Sequence, residues 1–252
     1  MAPRTRPWPW TLGLILPITA GLILLPGSAL AQSIAFDLGD GGSLTGTTLQ
    51  LIAIITLLSL APGIAIMVTC FPFIVTVLAI LRQAVGLQQS PPNMLIVSLA
   101  LFLTYFVMEP VFTQAYTDGI QPLIEEAIAV EEAFARTLDP FRVFMVSRLD
   151  EDTFRAMAEL RPDTIDTPLT PEAPLSVLVP SFMLSEIARA FQVGFLIFLP
   201  FLIIDLVVAA VLMSMGMMMV PPAIVSLPFK LAFFVLADGW ALLAGSLVRG
   251  YF

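Results

Sequence analysis

Long apolar runs separated by short polar breaks dominate the chain, and the run lengths set the elements they predict. Leu49 to Leu81 is apolar for thirty-three residues, whereas about 20 suffice for a helix to cross a bilayer. Such a helix must tilt, bend or project beyond the hydrocarbon, and Pro62-Gly63 and Pro72 are placed to bend it. The polar stretch Arg82 to Asn93 ends in Pro91-Pro92, which cannot continue a helix. A second apolar run follows from Met94 to Phe112, so residues 49–112 read as a first helical hairpin.

A second hairpin is predicted over 181–252. Ser181 to Met219 could form one helix of thirty-nine residues, about 59 Å long at about 1.5 Å per residue. Pro200 should bend it, Pro221-Pro222 ends it, and Ala223 to Val248 supplies the last apolar helix. Between the hairpins, residues 113–180 differ in kind. Ile124, Ile128, Phe134, Leu138, Phe141 and Met145 recur at helical spacing among charges within Pro122 to Glu159, which predicts amphipathic helix with Phe134 and Phe141 as packing residues. Arg161 to Pro180 contains Pro162, Pro168, Pro171, Pro174 and Pro180 and reads as a linker. The expected fold class is an all-α membrane protein, two long proline-bent helical hairpins flanking an acidic helical insert.

The first thirty-one residues read as a secretory signal. Arg4 and Arg6 form a basic start, Leu12 to Leu25 a short apolar stretch, and Ala29-Leu30-Ala31 a cleavage site before Gln32. The competing reading is an uncleaved first span, against which Pro17, Pro26 and the small-residue site argue. Cleavage puts Gln32 outside the cytoplasm, and Gly- and Ser-rich residues 32–48 form a flexible exported lead-in. Arg82 at the first hairpin tip then lies on the cytoplasmic side, and the insert is exported.

Composition sharpens this picture. Hydrophobic residues make up 58% and charged residues 12%, about half the charge of a soluble domain. Thr113 to Met183 holds thirteen acidic side chains and five arginines, an excess equal to the whole net charge of −8. One segment faces water, and most of the rest faces lipid or protein. With a single lysine, the chain lacks the clustered cations that phosphate contacts require, so no nucleic-acid partner is expected. One cysteine, Cys70, excludes an internal disulfide. The absence of histidine removes the commonest general base and metal ligand, so neither enzyme chemistry, a cofactor nor a metal is expected.

Glu186, Arg189, Asp205, Lys230 and Asp238 fall in or at the edges of the second hairpin. A charge inside lipid is expensive and marks a pairing or a wet cavity. Glu186 and Arg189, at i and i+3, can pair on one helix face. Lys230 is expected to pair with Asp205 on the facing helix or with a carboxylate of a neighbouring chain. These charges either fix helix register or carry protons, and the second option would make the chain a proton-coupled ion transporter using Asp205, Asp238 and Lys230. Two intramembrane aspartates are also the minimum for an aspartyl protease, but Asp238-Gly239 lacks the GxGD context of those enzymes. At the tip, Met213, Met215, Met217, Met218 and Met219 put five flexible thioethers in seven residues. In a core they fill gaps; repeated around an axis they could seal a pore.

Four segments carry a family resemblance: LRQAVGLQQSPPN from Leu81 to Asn93, LFLTYFVMEP within Ala100 to Val111, AFQVGFLIFLPFLIIDLVVAAVLMSMGMMMVPP from Ala190 to Pro222, and SLPFKLAFFVLADGW from Ser226 to Trp240. In these the chain closely resembles the FliP family of flagellar type III export-gate proteins, over roughly 49–112 and 179–247. The resemblance implies a pentameric ring of FliP copies, joined by FliQ and FliR in a helical channel near FlhA and FlhB. Unfolded flagellar subunits would leave the cytoplasm through it. It further implies a multi-pass protein of the bacterial inner membrane at the flagellar basal body, in contact with membrane lipids. A methionine gasket would close the channel at Met217, Met218 and Met219.

Overall fold

The computed structural model describes residues 44–87 and 91–251. The predicted signal, its cleavage site at Ala31 and Gln32, and most of the lead-in lie outside the described residues. Within them every regular element is helical. The chain divides between Ile54 and Ile55 into two units. Of the first, only the opening of helix α1 (Leu44–Met67) is described. Its apolar side chains, such as Leu49, Leu51 and Ile54, are exposed.

The second unit is organised around α2 (Phe71–Val85). The long apolar run is therefore two helices, and the break falls at residues 68–70, not at Pro62-Gly63, which α1 passes through. Thr69 makes the break. Its hydroxyl donates to Ile66 O at 3.1 Å and accepts from Phe71 N at 3.4 Å, and Pro72 suits a first turn, where no helical N–H is needed. At fifteen residues α2 is about 22 Å long, short of the roughly 30 Å hydrocarbon core. Its residues Phe73, Ile74, Val77, Leu78, Leu81 and Ala84 are buried. Gly86 ends it with φ 87°, a left-handed conformation that a glycine adopts without steric cost. Arg82 then donates to Asn93 Oδ1 across the loop into α3 (Asn93–Ala115), which packs on α2.

A π-helical turn (Tyr116–Ile120) and a single turn α4 (Gln121–Ile124) lead into the insert. The insert is not one amphipathic stretch. Glu126 at φ 56° separates α4 from α5 (Val130–Arg148), and Asp150 starts α6 (Glu151–Ala158) by accepting from Thr153 N at 2.9 Å. Met145, Phe154 and Ala158 join Val177, Leu178 and Phe182 in a second core, which fastens the insert to the first turns of α7 (Leu175–Ser214). Phe141 packs on Phe112 with ring centroids 5.8 Å apart. Phe134, expected to pack, is 68% exposed. It follows the buried Ala133 by one residue, a rotation of about 100° that carries it out of the core.

The expected linker stops at Pro174. Arg142 pins it by donating to Pro171 O and Ala173 O at 2.8 and 2.9 Å. Pro180 instead lies within α7, which absorbs both it and Pro200 at the cost of a backbone hydrogen bond each. At forty residues α7 is about 60 Å long. It lies along α2, and Gly194 permits the approach, since a Cβ there would stand 2.4 Å from Ile80 Cδ1.

The last apolar helix was expected to be continuous from Ala223 to Val248. It is instead α8 (Pro222–Leu236) and α9 (Gly239–Arg249), bent by 62°. The cause lies at Asp238-Gly239. Asp238 takes φ 49°, and the Phe234 ring sits where a Cβ on Gly239 would be, 2.3 Å from Cδ2. Helix α3 with the two turns after it, and α7, are long and apolar enough to cross a membrane; so is α1, and the bent pair could form one further span.

Candidate functional site

Lys230 is 5% exposed in the middle of α8. Its Nζ donates to Asp205 Oδ2 at 2.6 Å and to Ala84 O, in the last turn of α2, at 3.0 Å. Ser226, one turn before Lys230 on the same helix face, donates to the other carboxylate oxygen of Asp205 at 2.5 Å. One ammonium thus joins α2, α7 and α8. Within the chain Asp205 has both oxygens engaged, one by Lys230 and one by Ser226.

Glu186 is fully buried in α7 and forms a second centre. Arg189 on the same helix reaches its Oε1 at 3.6 Å, and Arg148, at the end of α5, donates to that oxygen at 3.3 Å. Tyr251 donates to Oε2 at 2.5 Å. Arg148 also donates to Gly250 O at 2.7 Å, and its guanidinium lies 4.1 Å over the Tyr251 ring. Burial, reinforced by the Glu186 carboxylate, pushes the Tyr251 hydroxyl well above the usual tyrosine range and keeps it a donor. The cluster therefore ties the insert, α7 and the end of the chain together.

Arg148 and Tyr251 were not legible as members of this site. Arg148 sits in the charged insert, and nothing in its spacing points to Glu186. Ser226 could have been found, because it precedes the lone lysine by four residues. Asp238 joins neither centre. It is exposed at the α8–α9 break, and no side-chain partner is seen for it among the described residues. Among them, too, no trio of His, Cys, Asp or Glu is placed to hold a metal.

The methionine tip lies between α7 and α8. Gly216 at φ 75° turns the chain, and Met217 N closes the turn onto Leu212 O at 3.0 Å. Met217, Met218 and Met219 are 38%, 85% and 97% exposed. They stand clear of the chain's own core, and Leu206, Val207 and Val211 earlier on α7 are exposed as well.

Fold and site together define a class: an all-helical protein with apolar helices long enough to cross a membrane, ion-paired where they meet, and ending one helix pair in an exposed methionine turn. Comparison with known proteins gives the family. The FliP family model matches residues 54–247, and the chain belongs to that family. It is 53% identical to the flagellar biosynthetic protein FliP of Caulobacter vibrioides over 230 residues, covering 90% of this chain and 86% of the relative. Identity is 47% to the FliP of Agrobacterium fabrum over 92% of this chain and 96% of the relative. It is 44% to that of Bacillus subtilis over 81% and 92%.

Proposed function

We propose that the chain is a core channel subunit of the flagellar type III protein export gate, through which unfolded flagellar subunits leave the cytoplasm. Copies of the chain pack side by side around an axis, five by the family resemblance, in the bacterial inner membrane at the flagellar basal body. FliQ and FliR complete the channel, and FlhA and FlhB adjoin it. The observation that carries this reading is the exposed Met217, Met218 and Met219 turn at the end of two helices locked together by Lys230 and Asp205. A large apolar group held in water at a helix tip is costly, and a ring of such tips buries the thioethers against one another. Methionine suits the task because it repacks around shapes that change. The seal would stop small ions yet part for a passing polypeptide.

The experiment is ion conductance of the assembled gate in planar bilayers, with Met217, Met218 and Met219 replaced together by alanine. Leakage of small ions should rise severalfold while the mass and symmetry of the complex stay unchanged. An intact complex with unaltered conductance would reject the seal.

A further inference from the structure

The twenty-four residues from Leu206 to Phe229, which hold the methionine tip and the helix ends beside it, contain no Asp, Glu, Lys, Arg or His. The chain's excess of eight negative charges lies elsewhere, between Thr113 and Met183. The charges nearest in sequence are Asp205, nine residues before the end of α7, and Lys230, eight after the start of α8. At about 1.5 Å per residue they stand about 12 to 14 Å from those helix ends, beyond the screening length of about 8 Å in physiological salt. They also cancel, being paired at 2.6 Å with the lysine buried. The tip is equally poor in free polar groups. The N–H groups of Met215, Gly216, Met217, Met218 and Val220 all donate to carbonyls between Val211 and Met217, and Pro221 and Pro222 have none to offer. Ser214 donates to Val211 O at 2.7 Å, and Ser226 to Asp205 at 2.5 Å.

Such a tip supplies neither a ring of carboxylates to draw cations nor a fan of free amides to hold an anion. We propose that the passage closed by these tips has no charge filter and shuts only by keeping water out. The inference rests on the export reading above and adds what the seal selects. An apolar constriction stops an ion because the ion must shed its water there, and a thioether returns neither a charge nor a strong hydrogen bond. An extended polypeptide brings its own apolar atoms to the thioethers instead. Acidic and basic stretches of a passing chain therefore meet the same barrier. A ring of carboxylates or amines in this place would hold stretches of one sign and repel those of the other.

The test is the reversal potential of the assembled gate in planar bilayers under a potassium chloride gradient, with Met217, Met218 and Met219 replaced together by alanine. The ratio of potassium to chloride permeability should lie within about threefold of one, since no charged ring is present to bias it. A charge at the most exposed position should create the selectivity that the native tip lacks. With alanine at 217 and 218, Met219→Glu should favour potassium and Met219→Lys chloride, each by more than about threefold. If the triple alanine variant fails to assemble, alanine at Met218 and Met219 alone, which the fold leaves 85% and 97% exposed, carries the same measurement. A leak through an alanine variant that discriminates the two ions by more than about threefold overturns the inference and leaves the seal standing. Glutamate and lysine variants no more selective than alanine overturn it too, because position 219 would then not face the passage. No leak from either alanine variant rejects the seal itself, and the inference with it.

Discussion

Lys230 donates both to Asp205 on α7 and to the Ala84 carbonyl on α2, so the chain's lone lysine is the point at which three helices are held in register. Removing the ammonium leaves a carboxylate facing Ser226 alone and a helix-end carbonyl without its donor. Lys230→Met should destabilise the chain by about 3 kcal/mol, the lower end for a broken buried pair because Asp205 is itself one-third exposed. Lys230→Met combined with Asp205→Leu should recover most of that loss. Thermal unfolding in detergent measures both, and a double variant as weak as the single would show that more than charge pairing is at stake.

Glycines in close contact should respond to alanine in an order set by what the new Cβ meets. At Gly119 it would lie 2.7 Å from Thr137 N and 2.9 Å from Ala133 O, backbone atoms that cannot step aside. Gly119→Ala should therefore cost about 2 kcal/mol or more. At Gly194 the obstacle is the far end of Ile80, which can rotate, so Gly194→Ala should cost under about 1.5 kcal/mol. Gly63 meets open space, and Gly63→Ala should stabilise α1 by about 0.5 to 1 kcal/mol. Unfolding midpoints of the three variants check the ranking, and a reversed order for 119 and 194 would contradict the packing described.

Tyr251 gives the chain an alkaline limit. Its folded-state pKa is raised, so its contribution is complete below the ordinary tyrosine value of about 10 and is lost as pH climbs beyond it. Wild type should lose stability more steeply than Tyr251→Phe between about pH 10 and 12. Below about pH 9 the variant should be weaker by about 1.5 kcal/mol, the value of a hydrogen bond to a charged partner. Parallel slopes above pH 10 would mean that the hydroxyl does not face Glu186.

Glu186→Gln should loosen the end of the chain more than its middle. It removes the charge that gathers Arg148 and Arg189, while a side-chain oxygen can still accept from Tyr251. Hydrogen exchange should accelerate over α9 and the last turn of α5, with little change in α2. Uniform acceleration throughout would show that Glu186 supports the whole core instead of one corner.

The existence of the long helices was legible because apolar runs of that length have few other fates. Their joints were not. Pro62-Gly63 looks like a break and is carried within α1, whereas the break at Thr69 depends on a hydroxyl that serves two helix ends at once. Asp238-Gly239 breaks the last helix because a phenylalanine ring occupies the space beside it, a fact of tertiary packing. The Lys230 and Asp205 relationship could be anticipated, since a lone lysine in an apolar helix has few partners. Arg148 and Tyr251 could not, because they reach Glu186 from parts of the chain with no shared periodicity. The methionines announced themselves by density, and their exposure adds what density cannot: the chain alone does not bury them.

Helix α2 is too short to span a bilayer and takes its walls largely from α7, which leaves the ribosome only after Gly86 to Pro174 have been made. The order of synthesis and the order of assembly are thus opposed. A newly made α2 must be sheltered, by the insertion machinery or by a provisional place in lipid, until its true neighbour arrives. Truncation anywhere before α7 would leave the buried face of α2 without its main partner, and quality-control proteases would be the first to notice.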